Sequence, residues 1–143
     1  MKQPIRFLLI FILSLLPSLC IGTEEISVTN PWIREAPPAA EILAAYMTIS
    51  NNSRQTVQLE SVASADFEMI EIHRTETRQG MSHMLKQSSL LIKSGESVLL
   101  KPGGYHLMLI KPKRNLRNGD NVTLHLHFNN GEAINVTAIV RQQ

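Results

Sequence analysis

The stretch Lys101-Pro-Gly-Gly-Tyr-His-Leu-Met-Leu-Ile110 limits what this chain can fold into more than any other. Pro102, Gly103 and Gly104 give a turn signal, and the apolar run after them alternates, so a turn feeding a β-strand is expected. Strand side chains point to opposite faces with period two. Leu107 and Leu109 therefore share one face, and His106 and Met108 share the other. The leucines account for a core-facing side. An imidazole and a thioether together on the opposite side make half of a soft metal site, because imidazole suits copper or zinc and thioether favours Cu(I).

The other half lies upstream. Twenty-one residues separate Met84 from His106, and ten separate His73 from Met84. His73, Met84, His106 and Met108 together offer two nitrogens and two sulfurs, enough for a four-coordinate Cu(I) shell. Taken singly, none of them is informative: a methionine is usually core filler, and a strand histidine is usually solvated or hydrogen-bonded. The joint spacing gives the set its weight.

That spacing, His-x10-Met-x21-His-x-Met, resembles the copper site of the periplasmic copper chaperones called PCu(A)C. The likeness covers nearly all of the chain after its first twenty-odd residues. Asn30-Pro31-Trp32-Ile33-Arg34-Glu35-Ala36-Pro37-Pro38 is similar to the family's Trp-Val-Arg-x-x-Pro-Pro segment. Ala45-Tyr46-Met47-Thr48-Ile49-Ser50-Asn51-Asn52 is similar to its Ala-Tyr-Leu-x-Leu-x-Asn strand. Pro102 to Leu109 matches its most distinctive segment, and Gly119-Asp120 before an alternating strand is also shared. Family members often carry a methionine directly after the first histidine; here that position is Arg74. The resemblance implies a cupredoxin-like sandwich and a single Cu(I) on His73, Met84, His106 and Met108. It also implies delivery of copper to cytochrome oxidase assembly, to the CuA site or to the thioredoxin-fold proteins that load it.

The first residues read as an address. Lys2 and Arg6 precede a ten-residue apolar run, Phe7 to Leu16, then Pro17 and uncharged residues up to Gly22. Residues 1–22 are expected to be a secretory signal peptide, too short to cross a ~30 Å hydrocarbon core as a stable anchor. The competing reading, a lipid anchor on Cys20, is disfavoured by Leu19 where a small residue belongs. Cleavage after Gly22 discards Cys20, the only cysteine, leaving residues 23–143 without thiolate or disulfide. Met and His ligands suit an oxidising compartment better than an exposed thiol does. Removing Lys2 and Arg6 leaves twelve basic residues against twelve acidic ones, so composition points to neither nucleic acid nor a membrane surface.

Short strands bounded by turn signals fill the rest, with little helical periodicity. They are expected at Ile26 to Trp32 (interrupted by Pro31), Leu43 to Ser50, Val57 to Val62 and Phe67 to His73. After a polar connection over Thr75 to Gly80 come Met81 to Lys86, a short piece at Leu90 to Ile92, and Ser97 to Leu100. Val122 to Phe128 and Ala133 to Val140 close the chain as a hairpin around Asn129-Asn130-Gly131. This pattern predicts an all-β fold, an antiparallel β-sandwich or barrel. On the fourth strand, period two puts Met69, Glu71 and His73 together on the non-core face.

Competing constellations are weaker. His125 and His127 share a face, but with Thr123 and Asn129 they read as the solvated side of a half-buried strand. Met81 and His83 flank Met84 and could replace it if the register slipped. Glycosylation patterns occur at Asn51, Asn121 and Asn135, and such short patterns arise easily by chance. No nucleophile elbow or phosphate loop is present, and thioethers are poor Zn²⁺ ligands. A blue-copper electron carrier needs a cysteine thiolate. The expectation is a periplasmic, monomeric copper carrier and no enzyme, with Cu(I) as the bound ion and Cu(II) left open. The alternatives are a copper buffer without a client, or an interaction module with incidental His and Met.

Overall fold

The computed structural model describes residues 25–142; the signal peptide expected over residues 1–22, with Cys20, lies outside them. Ten strands and no helix make up the described residues. They are β1 (Ile26–Arg34), β2 (Ile42–Asn51), β3 (Val57–Ala63), β4 (Phe67–Arg78), β5 (Met81–Gln87), β6 (Leu90–Ile92), β7 (Ser97–Leu100), β8 (Tyr105–Pro112), β9 (Asn121–Phe128) and β10 (Ala133–Arg141). All are hydrogen-bonded into one sheet in the order β5-β4-β8-β2-β1-β10-β9-β3-β6, with β7 also beside β2. Only β1 and β10 run parallel; the other pairings are antiparallel.

The sheet bends over to enclose its own apolar face. Leu59 and Ile92, from one end of the strand order, share a single core with Ile72, Leu107 and Leu109 from the other end. Two devices allow this. The register of β1 on β2 shifts between Thr29 and Trp32, where Asn30 takes a positive φ of 51° and Pro31 follows. Proline lacks the N–H that a regular ladder needs, so a bulge is where a strand tolerates it. The strand predicted to be interrupted at Pro31 thus continues through it to Arg34. Meanwhile β2 changes partners: Ile42 to Ala45 face β8, whereas Met47 to Ser50 face β7.

One connection departs from expectation. Thr75 to Arg78 is strand, paired with Met81 to Met84, and only Gln79 and Gly80 turn the chain. Both turn residues have positive φ, 51° and 77°, which a two-residue hairpin needs to match strand twist. Thr75, Glu76, Thr77 and Arg78 show no apolar alternation because this part of β4 pairs only with β5 and buries no residue. It projects as a two-stranded ribbon beyond the last β4–β8 partners, Arg74 and Tyr105.

Candidate metal centre

β8 lies between β4 and β2, and the site is built on the outer face of these three strands. Leu107 and Leu109 are fully buried in the core, which turns His106 and Met108 outward, as period two requires. On β4 the cross-strand partner of His106 is His73, and that of Met108 is Glu71. On β2 Met108 lies opposite Ala44, whose small side chain leaves space beside the thioether. A groove of about 220 Å³ opens there, lined by Met84, His106, Met108, Ala44, Tyr46 and Arg34, among others.

The four predicted residues are not placed alike. His106 and His73 are only 5% and 8% exposed, and their ring centroids are 5.9 Å apart. His73 packs beside His106 and does not line the groove itself. Met84 stands opposite Thr75, at the base of the ribbon, and at 60% exposure it is the outermost member. Met81 and His83 pair with Arg78 and Glu76, so alternation puts them on the other face of the ribbon from Met84. His125 and His127 lie on β9, four strands away from β8 in the sheet order, and His125 Nδ1 is 2.6 Å from Asn135 Oδ1.

Each site histidine uses one ring nitrogen inside the protein. His106 Nδ1 is 3.1 Å from the Gly104 carbonyl oxygen. His73 Nε2 is 2.9 Å from Glu71 Oε2, and His73 Nδ1 is buried without a hydrogen-bond partner. The other Glu71 oxygen accepts from Lys86 Nζ on β5. These two bonds, Lys86 first and then His73, hold the Glu71 carboxyl below its ordinary range. Sequence reasoning placed Glu71 on the face of His73 but gave it no role; its bond to Lys86 spans two strands and has no local signature.

The wall toward β1 is aromatic and cationic. Tyr46 stacks tilted on Trp32 with centroids 4.6 Å apart; Arg34 lies 5.8 Å from the Tyr46 ring and Arg141 4.3 Å from that of Trp32. Burial raises the Tyr46 phenol above its usual range, partly offset by the Arg34 charge, so the Tyr46 oxygen stays protonated and uncharged at neutral pH; Glu35 also lines the groove on that side. Among the described residues no three His, Cys, Asp or Glu side chains converge on one point. The groove instead sets one imidazole, that of His106, beside the thioethers of Met84 and Met108. A larger cleft, about 440 Å³ between Pro37–Ala40 and Lys111–Arg117, has no histidine or methionine in its lining.

Comparison with known proteins places these features in a family. The model of the family described as putative lipoprotein LpqE-like matches residues 26–140. An uncharacterized protein of Rickettsia prowazekii is 35% identical over 113 residues, 75% of this chain, and the chain spans 62% of that protein's length. A putative lipoprotein of Leifsonia xyli is 26% identical over 119 residues, covering 82% of this chain and 70% of its own. Among solved structures, the copper-bound PCuAC domain of PmoF2 superposes with a TM-score of 0.72 at 21% identity, over 84% of this chain and 95% of that domain. The Cu(I) form of DR1885 from Deinococcus radiodurans gives 0.66 at 28% identity, over 88% of this chain and 83% of that one. The chain belongs to the LpqE-like family, and its fold is that of the PCuAC domains.

Proposed function

We propose that this chain is an exported copper carrier, no enzyme, whose domain of residues 23–143 holds one Cu(I) through His73, Met84, His106 and Met108. Its acceptor would belong to cytochrome oxidase assembly, either the CuA-bearing subunit or a thioredoxin-fold loading protein. The copper-bound state of the similar DR1885 supports the ion, and the lipoprotein name of the Leifsonia relative fits an exported protein.

The observation that carries the reading is the cross-strand histidine pair. Two buried imidazoles face each other across β4 and β8, and one of them keeps a buried nitrogen unpartnered. A buried polar atom without a partner is costly unless something binds it. With metal–nitrogen bonds of ~2 Å, two imidazoles can share an ion at roughly the observed ring separation. The thioethers of Met108 and Met84 then supply the soft donors that Cu(I) prefers. All four donors are neutral, so the ion is held without an anionic ligand. Met84 is the exposed one, which makes it the natural first point of attack for an acceptor's thiolate.

The methionines give the decisive test. Leu resembles Met in bulk, so Met84→Leu with Met108→Leu should cost the fold under about 1.5 kcal/mol. Cu(I) affinity should collapse, while Cu(II), content with nitrogen and water ligands, should lose much less. Parallel competition titrations with Cu(I) and Cu(II) probes check this. A double variant that held Cu(I) as tightly as the parent would refute the site. A transfer assay against an apo oxidase domain then separates a chaperone from a buffer.

A further inference from the structure

We infer that Glu71 is a positioning residue that makes His73 meet copper through Nδ1, while His106 meets it through Nε2. The inference rests on the copper-site reading above and adds the atoms to it. A carboxylate only accepts hydrogen bonds, so the 2.9 Å contact between Glu71 Oε2 and His73 Nε2 requires the proton on Nε2. A neutral imidazole carries one N–H, which leaves the lone pair on Nδ1. That is the atom which is buried and without a partner. At His106 the logic is inverted. The Gly104 carbonyl, which also only accepts, lies 3.1 Å from Nδ1, so the proton is there and Nε2 is free. Metal-bound histidines commonly spend their second N–H on a carboxylate or a backbone carbonyl, and this chain supplies one of each.

Lys86 completes the arrangement. It is the cross-strand partner of His73 on β5, and its ammonium binds the Glu71 oxygen that His73 does not use. The carboxylate, with a side chain only 15% exposed, is thereby held at both oxygens. It can orient the imidazole but is not free to swing in as a hard, anionic ligand. A soft, neutral donor set is preserved although an acidic residue stands beside it.

The test is ¹⁵N NMR of the imidazoles in the full chain, without copper and with one equivalent of Cu(I), for the parent, Glu71→Gln and Glu71→Leu. In the apo parent, His73 should show a protonated Nε2 and a pyridine-like Nδ1, and His106 the opposite. Cu(I) should shift His73 Nδ1 and His106 Nε2. Glu71→Gln keeps an acceptor and should keep the His73 tautomer. Glu71→Leu should yield a tautomer mixture at His73 and lower Cu(I) affinity about tenfold or more. A Cu(I) shift at His73 Nε2 would overturn the inference while leaving the copper site standing. A Glu71→Leu variant that lost affinity with its His73 tautomer unchanged would also overturn it, because Glu71 would then be merely structural. If Cu(I) moved no nitrogen of either ring, the copper-site reading itself would fall. Should Glu71→Leu not fold, the parent and Glu71→Gln spectra still decide between Nδ1 and Nε2.

Discussion

Tyr46 shows how a single residue can close one side of the groove and also report on the fold. It is 5% exposed beneath Trp32 and Arg34. Burial raises its phenol above the usual value, with Arg34 pulling partly the other way. The folded state therefore holds the Tyr46 proton more tightly than the unfolded chain does. That contribution to stability is fully present below the unfolded value of about 10 and is lost as pH rises through the folded one. Denaturant unfolding of the apo protein should show Tyr46→Phe losing less stability than the parent across that alkaline window; equal losses would mean the phenol is not desolvated. Asn51 is a residue whose sequence pattern misleads. Its Nδ2 donates to the carbonyls of Gln55 and Ile92, and its Oδ1 accepts from the Ser53 amide and hydroxyl. At 1% exposure this amide organises the turn after β2, and no glycan can be attached to it in the folded protein.

Among the elements, the β4–β5 ribbon stands apart. β8 is sandwiched between two strands and backed by the core, whereas β5 is an edge strand with every residue but Gln87 exposed. An unbacked two-stranded ribbon is marginally stable, so amides of β5 should exchange with deuterium faster than those of β8. Cu(I) binding through Met84 should tie the ribbon base to β8 and slow exchange near residues 82–86; exchange there that ignored copper would argue against Met84 as a ligand. The sequence revealed β8 readily because a strand with one core face alternates, and that alternation also exposed His106 and Met108. The end of β4 stayed hidden because a ribbon that buries nothing has no apolar period to read. Gln79-Gly80 is also a weaker hairpin signal than Asn-Gly or Asp-Gly.

At the scale of the whole molecule, core and site are two faces of the same strands. Leu109 is fully buried and adjacent to Met108. Leu109→Ala should destabilise the protein by about 2–5 kcal/mol, read by denaturant unfolding, yet leave one Cu(I) per chain where the variant remains folded. Loss of the metal without loss of fold would mean that the outer face depends on more than the ladder geometry. Sequence alternation revealed the strands but not their order. Which strand borders which depends on how the sheet closes, and the partner of His106 lies thirty-three residues away by number, on a strand joined to β8 only through long-range pairing. That closure has a kinetic consequence. Trp32 pairs with Ile139 and Arg34 with Arg141, so the strand described first is locked by the one described last. Contacts this distant along the chain are made late and slowly, because a long loop must be ordered before they contribute. The sheet cannot close until β10 is present. A chain threaded through a membrane with its N-terminus leading would leave Trp32, Ile33 and Arg34 without their β10 partners until Ile139 to Arg141 had emerged.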